Sequence, residues 1–472
     1  MNQSDYLSHD ALGLSGLIRA GQVTAAEVLE AALERAEAVN PRINALTTSM
    51  ADAARAAVKY GPPPGVLSGA PFLLKDLSAQ VAGVPTSAGS RLLASVAPAT
   101  DNAIVSSYRA AGLVMFAKTN TPEFGLEPVT EPELFGPCRN PWDLTRTSGG
   151  SSGGAGAAVA AGIVPAAHAS DGGGSIRIPA ACCGLFGLKP TRGRVSVAPA
   201  NEGWGGFSIQ HAVTRTVRDS AALLDAVCTP QPGDPYWATP PEAPYLDEVW
   251  RDPGVLRIGF ITGGINVQAI DPECSAAVNE AARLCERLGH HVFEARLDWD
   301  YPRVQIAAGV IVASSLAATL DNEALRRGRP VEEGEVEPGT WAFQAHGRSI
   351  PASVYIQALQ TAHAFGRVAA RSFQDFDILL LSTLGSSAVP IGWLREGGPE
   401  DFSRRLFEFM PNTQAFNVSG QPAMTVPLAW SAQGLPIGVQ FVARAGEEGT
   451  LFRLAGQLER ANPWAERRPP LD

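Results

Sequence analysis

The alternation of short apolar runs with segments of helical periodicity is the sequence feature that most constrains the fold. Residues 71–74, 113–117 and 256–261 are apolar runs of the length typical of buried strands, while residues 102–111 and 272–288 repeat apolar positions at helical spacing. Hydrophobic residues make up 45% of the chain and charged residues 18%, which allows a sizeable core. The pattern predicts an α/β fold in which helices cover both faces of a mixed β-sheet.

Other segments carry further predictions about local structure. Residues 10–60 have a helical periodicity that we expect Pro41 to end, and a Pro/Gly turn is predicted at residues 61–65. The two most apolar long windows, residues 155–169 and 306–320, are rich in alanine and shorter than the roughly 20 residues of a membrane span. We therefore predict that both windows form buried helices.

The chain of 472 residues is predicted to form one large domain. Length alone allows one large domain or several smaller ones, but no linker and no internal repeat is visible. Further strands are predicted at residues 292–295 and 377–381. Residues 328–339 are acidic and rich in glycine and proline, which predicts a surface loop.

Charge and cysteine content exclude several classes of partner. The formal net charge is -10, the pI is near 5.3, and no long run of Lys and Arg is present. We therefore expect no nucleic-acid partner and no membrane partner. The first sixteen residues lack the basic and apolar regions of a signal peptide, and the six cysteines lack zinc-ligand spacing. We expect reduced thiols, a cytoplasmic location, no cofactor and no metal.

Lysine is rare in this chain, and one lysine stands where a catalytic group is expected. Lys75 directly follows the apolar residues 71–74, at the end of a predicted strand. A desolvated lysine can lose its proton near neutral pH, whereas arginine stays charged, so Lys75 is a candidate base. A buried structural lysine paired with Asp76 explains the same pattern, and the residues alone leave both interpretations open. The 37 basic residues include only four lysines: Lys59, Lys75, Lys118 and Lys189.

Residues 148–154, Ser-Gly-Gly-Ser-Ser-Gly-Gly, form the segment richest in glycine and serine. A phosphate-binding loop would require a lysine here, and none is present. Residues 149–153 match the G-x-S-x-G nucleophile elbow, but that motif needs a preceding strand, and residues 140–147 resemble a loop. A third interpretation is a turn that presents hydroxyls to a nucleophile elsewhere. An ordinary structural turn is the remaining alternative.

A second glycine-rich turn supplies a candidate nucleophile. Ser175 follows three consecutive glycines, Gly172, Gly173 and Gly174, whose N–H groups are unshielded by side chains. Such a nest of N–H groups can stabilise an oxyanion. Asp171 and Arg177 flank the turn with opposite charges and could brace it. A flexible turn with a solvated serine is the alternative.

Two histidines near these turns are weaker candidates. His168 lies in an alanine-rich stretch, and we predict that it belongs to the core. His211 could serve a Ser-His-Asp triad, although nothing in its sequence context selects it for that role.

Taken together, these segments resemble the amidase-signature family. Within that family the chain looks most like hydrolases of the cyclic dimer of 6-aminohexanoate. The resemblance implies the amidase-signature fold over residues 1–472, with a signature core at about 65–230 and a variable substrate-pocket region at about 300–415. The matching blocks are residues 71–76, 118–125, 149–154, 171–179, 183–191, 416–423 and 434–440.

The resemblance also implies a Ser–cis-Ser–Lys triad that acts through an acyl-enzyme. In that triad Ser175 is the nucleophile, Ser151 is the bridging serine after a cis peptide bond, and Lys75 is the base. The oxyanion donors would be the N–H groups of residues 172–175, with Asp171 and Arg177 as supporting structure. One departure is Gly172, where the family often has a side chain, and we expect its absence to widen the acyl site or loosen the loop.

Three functions are compatible with these residues. The first is a serine amidohydrolase that cleaves small amides, including cyclic or aryl amides. The second is a carbamate hydrolase on the same triad, because a urethane also offers a carbonyl bonded to nitrogen. The third is an amidotransferase subunit that works only within a complex. A homodimer is left open.

Overall fold

A mixed β-sheet runs through the molecule, and helices pack on both of its faces. The computed structural model describes residues 1–61, 64–200, 202–265 and 269–471. The strands are β1 Leu46–Ser49, β2 Pro71–Lys75, β3 Val114–Thr119, β4 Arg139–Asn140, β5 Asp143–Thr147, β6 Ala166–Asp171, β7 Phe186–Lys189, β8 Ile209–Thr214, β9 Arg257–Phe260, β10 His291–Glu294, β11 Ile378–Ser382, β12 Ala423–Trp430 and β13 Pro436–Ala443.

The helices precede, connect and cover these strands. In chain order they are α1 Gln3–Ser8, α2 Ala11–Arg19, α3 Ala25–Ile43, α4 Ala51–Lys59, α5 Ala103–Ala110, α6 Gly153–Ala160, α7 Arg177–Cys183, α8 Val217–Val227, α9 Tyr245–Glu248, α10 Pro272–Arg287, α11 Tyr301–Arg327, α12 Pro338–Ser349, α13 Ala352–Ser372, α14 Pro399–Phe409, α15 Gln414–Ser419 and α16 Glu448–Ala461.

The main sheet has 11 strands in the order β1-β3-β2-β6-β8-β7-β12-β13-β11-β9-β10. The strands β3, β2 and β6 are parallel at one side, β11, β9 and β10 are parallel at the other, and antiparallel pairs join the two groups. Strands β4 and β5 form a separate hairpin. The predicted α/β fold with a mixed sheet is confirmed.

Alternate side chains of each strand enter different parts of the core. In β2, Phe72 and Leu74 pack on one face with α5 and α8, whereas Leu73 packs on the other face with α3 and α6. In β11, Leu380 shares the first face, and Leu381 points to the opposite face, where α11 and α13 pack. Because successive side chains of a strand point to opposite faces, this sheet is buried on both sides.

Several predictions of helical boundaries are wrong. Pro41 lies inside α3, which continues to Ile43 and ends at Asn44 in the left-handed conformation. Pro41 stands two residues before the last residue of α3, so the hydrogen bond that it removes and the clash of its ring with the preceding turn disturb only the end of the helix. Residues 155–169 are helical only in their first part, because Gly162 adopts a φ of +76° and the chain then enters β6.

Of two predicted loops, one is wrong and one is confirmed. Residues 140–147 form most of the β4–β5 hairpin, so a strand does precede the first serine turn. Residues 328–337 form an irregular, largely exposed connection between α11 and α12, as predicted, although Val331 and Val336 are buried against Leu320 of α11. In the predicted turn at residues 61–65, residues 62 and 63 lie outside the described part of the chain.

The window 306–320 lies within α11, as predicted. Among the described helices, α11 is the one that is long and apolar enough by length and composition to cross a membrane, and 44% of its most apolar window is buried. It packs against α12, α13 and α15.

Candidate active site

Lys75 lies at the carboxyl end of β2, in the middle of the parallel part of the sheet. Its side chain is completely buried, and Nζ donates hydrogen bonds to Ser151 Oγ at 2.7 Å and to Ser170 Oγ at 3.0 Å. Burial lowers the pKa of Lys75 to about 7, although the nearby Asp171 carboxylate favours the charged form. Lys75 is therefore a group that can accept and release a proton near neutral pH.

Ser151 lies in the turn between β5 and α6. The Gly150–Ser151 peptide bond is cis, as the family resemblance implies. Close packing fixes this turn, because a Cβ placed on Gly150 would lie 2.6 Å from the Val129 carbonyl oxygen. Thr130 Oγ1 also donates to the Gly149 carbonyl oxygen at 2.8 Å. Ser151 Oγ is thus held at the end of the Lys75 side chain.

Ser175 lies in the turn between β6 and α7. Only 8% of the residue is exposed, and in the described part of the chain its hydroxyl has no hydrogen-bond partner. The relay that the resemblance implies requires a hydrogen bond from Ser175 to Ser151, and this bond is not formed here. Catalytic hydrogen bonds are often long in unliganded enzymes and shorten when substrate binds.

Asp171 organises the turn that carries Ser175. Its carboxylate accepts from the Gly174 N–H at 2.7 Å and the Ile176 N–H at 3.1 Å. It also accepts from Nε and Nη2 of Arg177, both at 2.9 Å. Burial opposes ionisation of Asp171, but the Arg177 charge and these hydrogen bonds outweigh it and hold its pKa at about 2. The carboxylate stays charged and fixes the loop.

Arg177 ties this turn to the C-terminal part of the chain. Its guanidinium donates to the Thr413 carbonyl oxygen at 2.8 Å, to Gln440 Oε1 at 2.7 Å and to Asn417 Oδ1 at 2.6 Å. Asn417 Nδ2 donates in turn to Asp171 Oδ1 at 2.8 Å. Sequence reasoning assigned no role to these three residues, although two of them lie in the family-like blocks 416–423 and 434–440.

The predicted set of oxyanion donors needs one correction. The Gly174 N–H donates to Asp171, so it is not available to a substrate. The N–H groups of Gly172, Gly173 and Ser175 have no hydrogen-bond partner among the described residues. These three groups are the candidate donors, and Thr413 Oγ1 helps to hold them by donating to the Gly173 carbonyl oxygen at 2.6 Å.

Ser170 and His168 are contacts of Lys75 that the sequence did not reveal as such. Both belong to β6, beside β2. His168 is completely buried, its Nδ1 accepts from the Lys75 backbone N–H at 3.3 Å, and its Nε2 lies 3.1 Å from Gln210 Oε1. Burial and the Lys75 charge lower the pKa of His168 to about 3, so the ring is neutral. The available signal in the sequence was that His168 and Ser170 are two residues apart, a spacing that places both side chains on the same face of a strand.

The remaining candidates lie apart from this group. His211 is buried and pairs with Ser220 at 2.9 Å, not with either turn serine. Lys118 lies on β3, the strand beside β2. Its Nζ donates to the Ala79 carbonyl oxygen and to Thr86 Oγ1, so it holds the loop that contains these two residues. Within the ranges that the structure describes, no group of three or more His, Cys, Asp or Glu side chains is placed to hold a metal ion.

Comparison with known families identifies the family of the chain. The sequence profile of the amidase family matches residues 27–452. The chain belongs to the amidase family, and it is an amidohydrolase that acts on carbon–nitrogen bonds.

Individual relatives match along nearly the whole chain. The 6-aminohexanoate-cyclic-dimer hydrolase of Paenarthrobacter ureafaciens is 39% identical over 492 aligned positions, covering 98% of this chain and 97% of that protein. A solved structure of 6-aminohexanoate cyclic dimer hydrolase complexed with substrate superposes with a TM-score of 0.93, at 36% identity, covering 98% of this chain and 99% of that chain. A bacterial aryl acylamidase of the amidase signature family superposes with a TM-score of 0.86, at 26% identity and 97% coverage of both chains.

Proposed function

We propose that this protein hydrolyses small amides, including cyclic amides, through a Ser175–Ser151–Lys75 triad and an acyl-enzyme. The observation that carries the proposal is the hydrogen bond from the buried Lys75 Nζ to Ser151 Oγ, together with the pKa of about 7 that burial gives to Lys75. A neutral lysine in contact with a serine hydroxyl can act as the adjacent general base that activates a serine nucleophile.

The proposed reaction begins with neutral Lys75. Lys75 Nζ takes the proton of Ser151 as Ser151 takes the proton of Ser175, and Ser175 Oγ attacks the amide carbonyl carbon. The carbonyl oxygen becomes an oxyanion that the N–H groups of Gly172, Gly173 and Ser175 bind. When the carbon–nitrogen bond breaks, the relay delivers the Lys75 proton through Ser151 to the leaving amine.

Water completes the proposed cycle. The amine leaves, and a water molecule takes its place beside Ser151. Neutral Lys75, again through Ser151, accepts a proton from this water as the water oxygen attacks the ester carbonyl of the acyl-enzyme. The second tetrahedral intermediate collapses, the proton returns to Ser175 Oγ, and the carboxylic acid is released. Each half-reaction uses the same relay in both directions, so no external base is needed.

The substrate class follows from the relatives as a proposal. Two similar proteins are named for a cyclic amide dimer and for aryl amides, so small amides of these kinds are the first substrates to test. A carbamate would enter the same reaction, because it presents a carbonyl carbon bonded to nitrogen. Dependence on a partner subunit would show as a purified chain with no activity on any of these compounds.

The test is amine release from cyclic amides, linear amides, anilides and carbamates by the purified chain. We expect the wild type to be active and Ser175→Ala to be inactive. Ser106→Ala is the matched control, because Ser106 is an exposed serine on α5. Equal activity of the wild type and Ser175→Ala would refute the nucleophile. Silence of the wild type on the whole panel would refute independent amidase activity.

We also propose a cytoplasmic location, which the free state of the cysteines supports. The six cysteines form no disulfide, and burial raises the pKa of Cys138 and Cys285 to about 12, so these thiols are unreactive. Fractionation of producing cells tests the location, and secretion of the protein would refute it.

A further inference from the structure

Trp204 lies in a tight, glycine-rich loop between β7 and β8. Trp204 itself has a φ of +53°, a conformation that side-chain-bearing residues rarely adopt, and Gly205 and Gly206 follow with φ values of +61° and +82°. The loop is held by backbone hydrogen bonds within residues 203–208. Helix α11 also packs closely on it, because a Cβ placed on Gly205 would lie 3.0 Å from Ile311 Cγ2. The backbone that carries the indole is therefore held in one place.

The indole of Trp204 occupies the space that a side chain at position 172 would fill. A Cβ placed on Gly172 would lie 2.6 Å from both Cε3 and Cζ3 of Trp204. Real Cβ atoms do not approach ring carbons this closely, so Trp204 and a side chain at position 172 exclude each other. The expectation that Gly172 leaves the acyl site wider is wrong, because a residue distant in sequence fills the gap.

This contact lies beside the reacting group. Gly172 and Gly173 carry candidate oxyanion donors, so a bound carbonyl group must lie next to the backbone against which the indole packs. On the neighbouring glycine, a Cβ placed on Gly173 would lie 3.6 Å from Met410 Cε. Trp204 is only half-buried, and it packs on the apolar cluster that includes Ile311 and Leu359. A partly exposed apolar surface therefore adjoins the turn of residues 172–175, which carries the candidate oxyanion donors.

We propose that Trp204 is a specificity-determining residue that selects amides of unbranched acyl groups. A methylene chain fits beside a flat indole, whereas a branch on the carbon next to the carbonyl would meet the ring. The inference rests on the proposed function, because it assumes that Ser175 attacks a carbonyl bound at Gly172 and Gly173. Trp204 and Gly172 then act as a pair, and a side chain at one position requires a smaller one at the other.

The experiment compares hexanoyl and 2-methylhexanoyl p-nitroanilides with the wild type and with Trp204→Ala. We expect Trp204→Ala to raise the ratio of branched to unbranched kcat/KM by about tenfold or more, the usual range for one methyl group in an apolar site. Trp204→Phe, with a smaller ring, should give an intermediate ratio. The matched control is Trp237→Ala, since Trp237 is 67% exposed and should leave the ratio unchanged.

A second arm tests whether positions 172 and 204 depend on each other. Gly172→Ala should lower kcat/KM for the hexanoyl substrate, because its Cβ displaces the indole and the turn. Adding Trp204→Ala should restore most of that loss. Independent sites would instead give losses that add.

The outcomes separate this inference from the proposed function. Release of p-nitroaniline that does not depend on Ser175, or no release by the wild type, would refute the proposed function and this inference with it. Release that depends on Ser175, with the same substrate ratio in Trp204→Ala and additive losses in the double variant, would refute only the role of Trp204. Thermal unfolding of each variant identifies any that fail to fold, in which case Trp204→Phe decides the first arm.

Discussion

The rate of amide hydrolysis should follow the deprotonation of Lys75. With a pKa of about 7, the neutral fraction of Lys75 is about 9% at pH 6, about half at pH 7 and about 90% at pH 8. We therefore expect kcat/KM to rise about tenfold from pH 6 to pH 8 and to level off above that. The sign follows from the role of base, because only the neutral amine can accept the Ser151 proton.

The assay is kcat/KM for an uncharged amide between pH 5 and pH 9, so that the substrate does not titrate. His168 and Asp171 do not titrate in this range, since their pKa values are about 3 and about 2. Burial also lowers the pKa of Lys118 to about 8 and that of Lys189 well below its usual value, so Lys118→Gln and Lys189→Gln are the controls, and each should keep the same acid limb. A rate that is flat from pH 6 to pH 9, with unchanged binding, would refute Lys75 as the base.

Removing one contact of Lys75 should shift the acid limb, the part of the pH profile in which kcat/KM rises with pH, in a defined direction. Ser170 Oγ accepts a hydrogen bond from Nζ, and such a bond is stronger when the donor is charged. Ser170→Ala should therefore lower the pKa of Lys75 further and shift the acid limb to lower pH, while kcat falls because Nζ is less well oriented. A limb that moves to higher pH would contradict this account of the contact.

Three further predictions concern buried groups around the site. Lys75→Met should abolish activity yet stabilise the protein. The lowering of the Lys75 pKa from 10.5 to about 7 reduces the free energy of unfolding of the wild type by about 4 kcal/mol at pH 7, and the variant avoids this cost. The loss of the two hydrogen bonds of Nζ offsets about 2 kcal/mol of the gain. Because the unfolded state binds the extra proton between pH 7 and pH 10.5, the gain in Tm should shrink towards pH 9, and a gain that grows with pH would contradict it. His168→Asn can keep an acceptor for the Lys75 backbone N–H and should retain most of kcat, whereas kcat of His168→Gln should fall about tenfold. His211→Asn is the control for a change at a buried histidine. Equal losses of kcat in both His168 variants would mean that the histidine contributes packing alone. Arg177→Met leaves Asp171 charged and buried, so urea unfolding should show a loss of about 3–5 kcal/mol, and a loss below about 1 kcal/mol would mean that other groups neutralise Asp171.

Local sequence patterns were sufficient where a feature depends on neighbouring residues. The run before Lys75 predicted a buried strand, and β2 ends at that lysine. The glycines before Ser175 indicated a turn with exposed N–H groups, and two of the three glycine N–H groups lack a partner in the described structure. The resemblance to a family added the cis peptide bond before Ser151, which no local pattern encodes.

The sequence by itself determined the α/β class and the positions of the two serine turns, because strand periodicity and turn chemistry are local properties. Only the tertiary structure decided that Asp171 uses the Gly174 N–H, that His168 and Ser170 contact Lys75, and that Trp204 fills the space beside Gly172. The physical reason is that these contacts join side chains from different strands and loops. Their distances depend on how the whole sheet packs, and the low pKa of Lys75 likewise arises from complete burial.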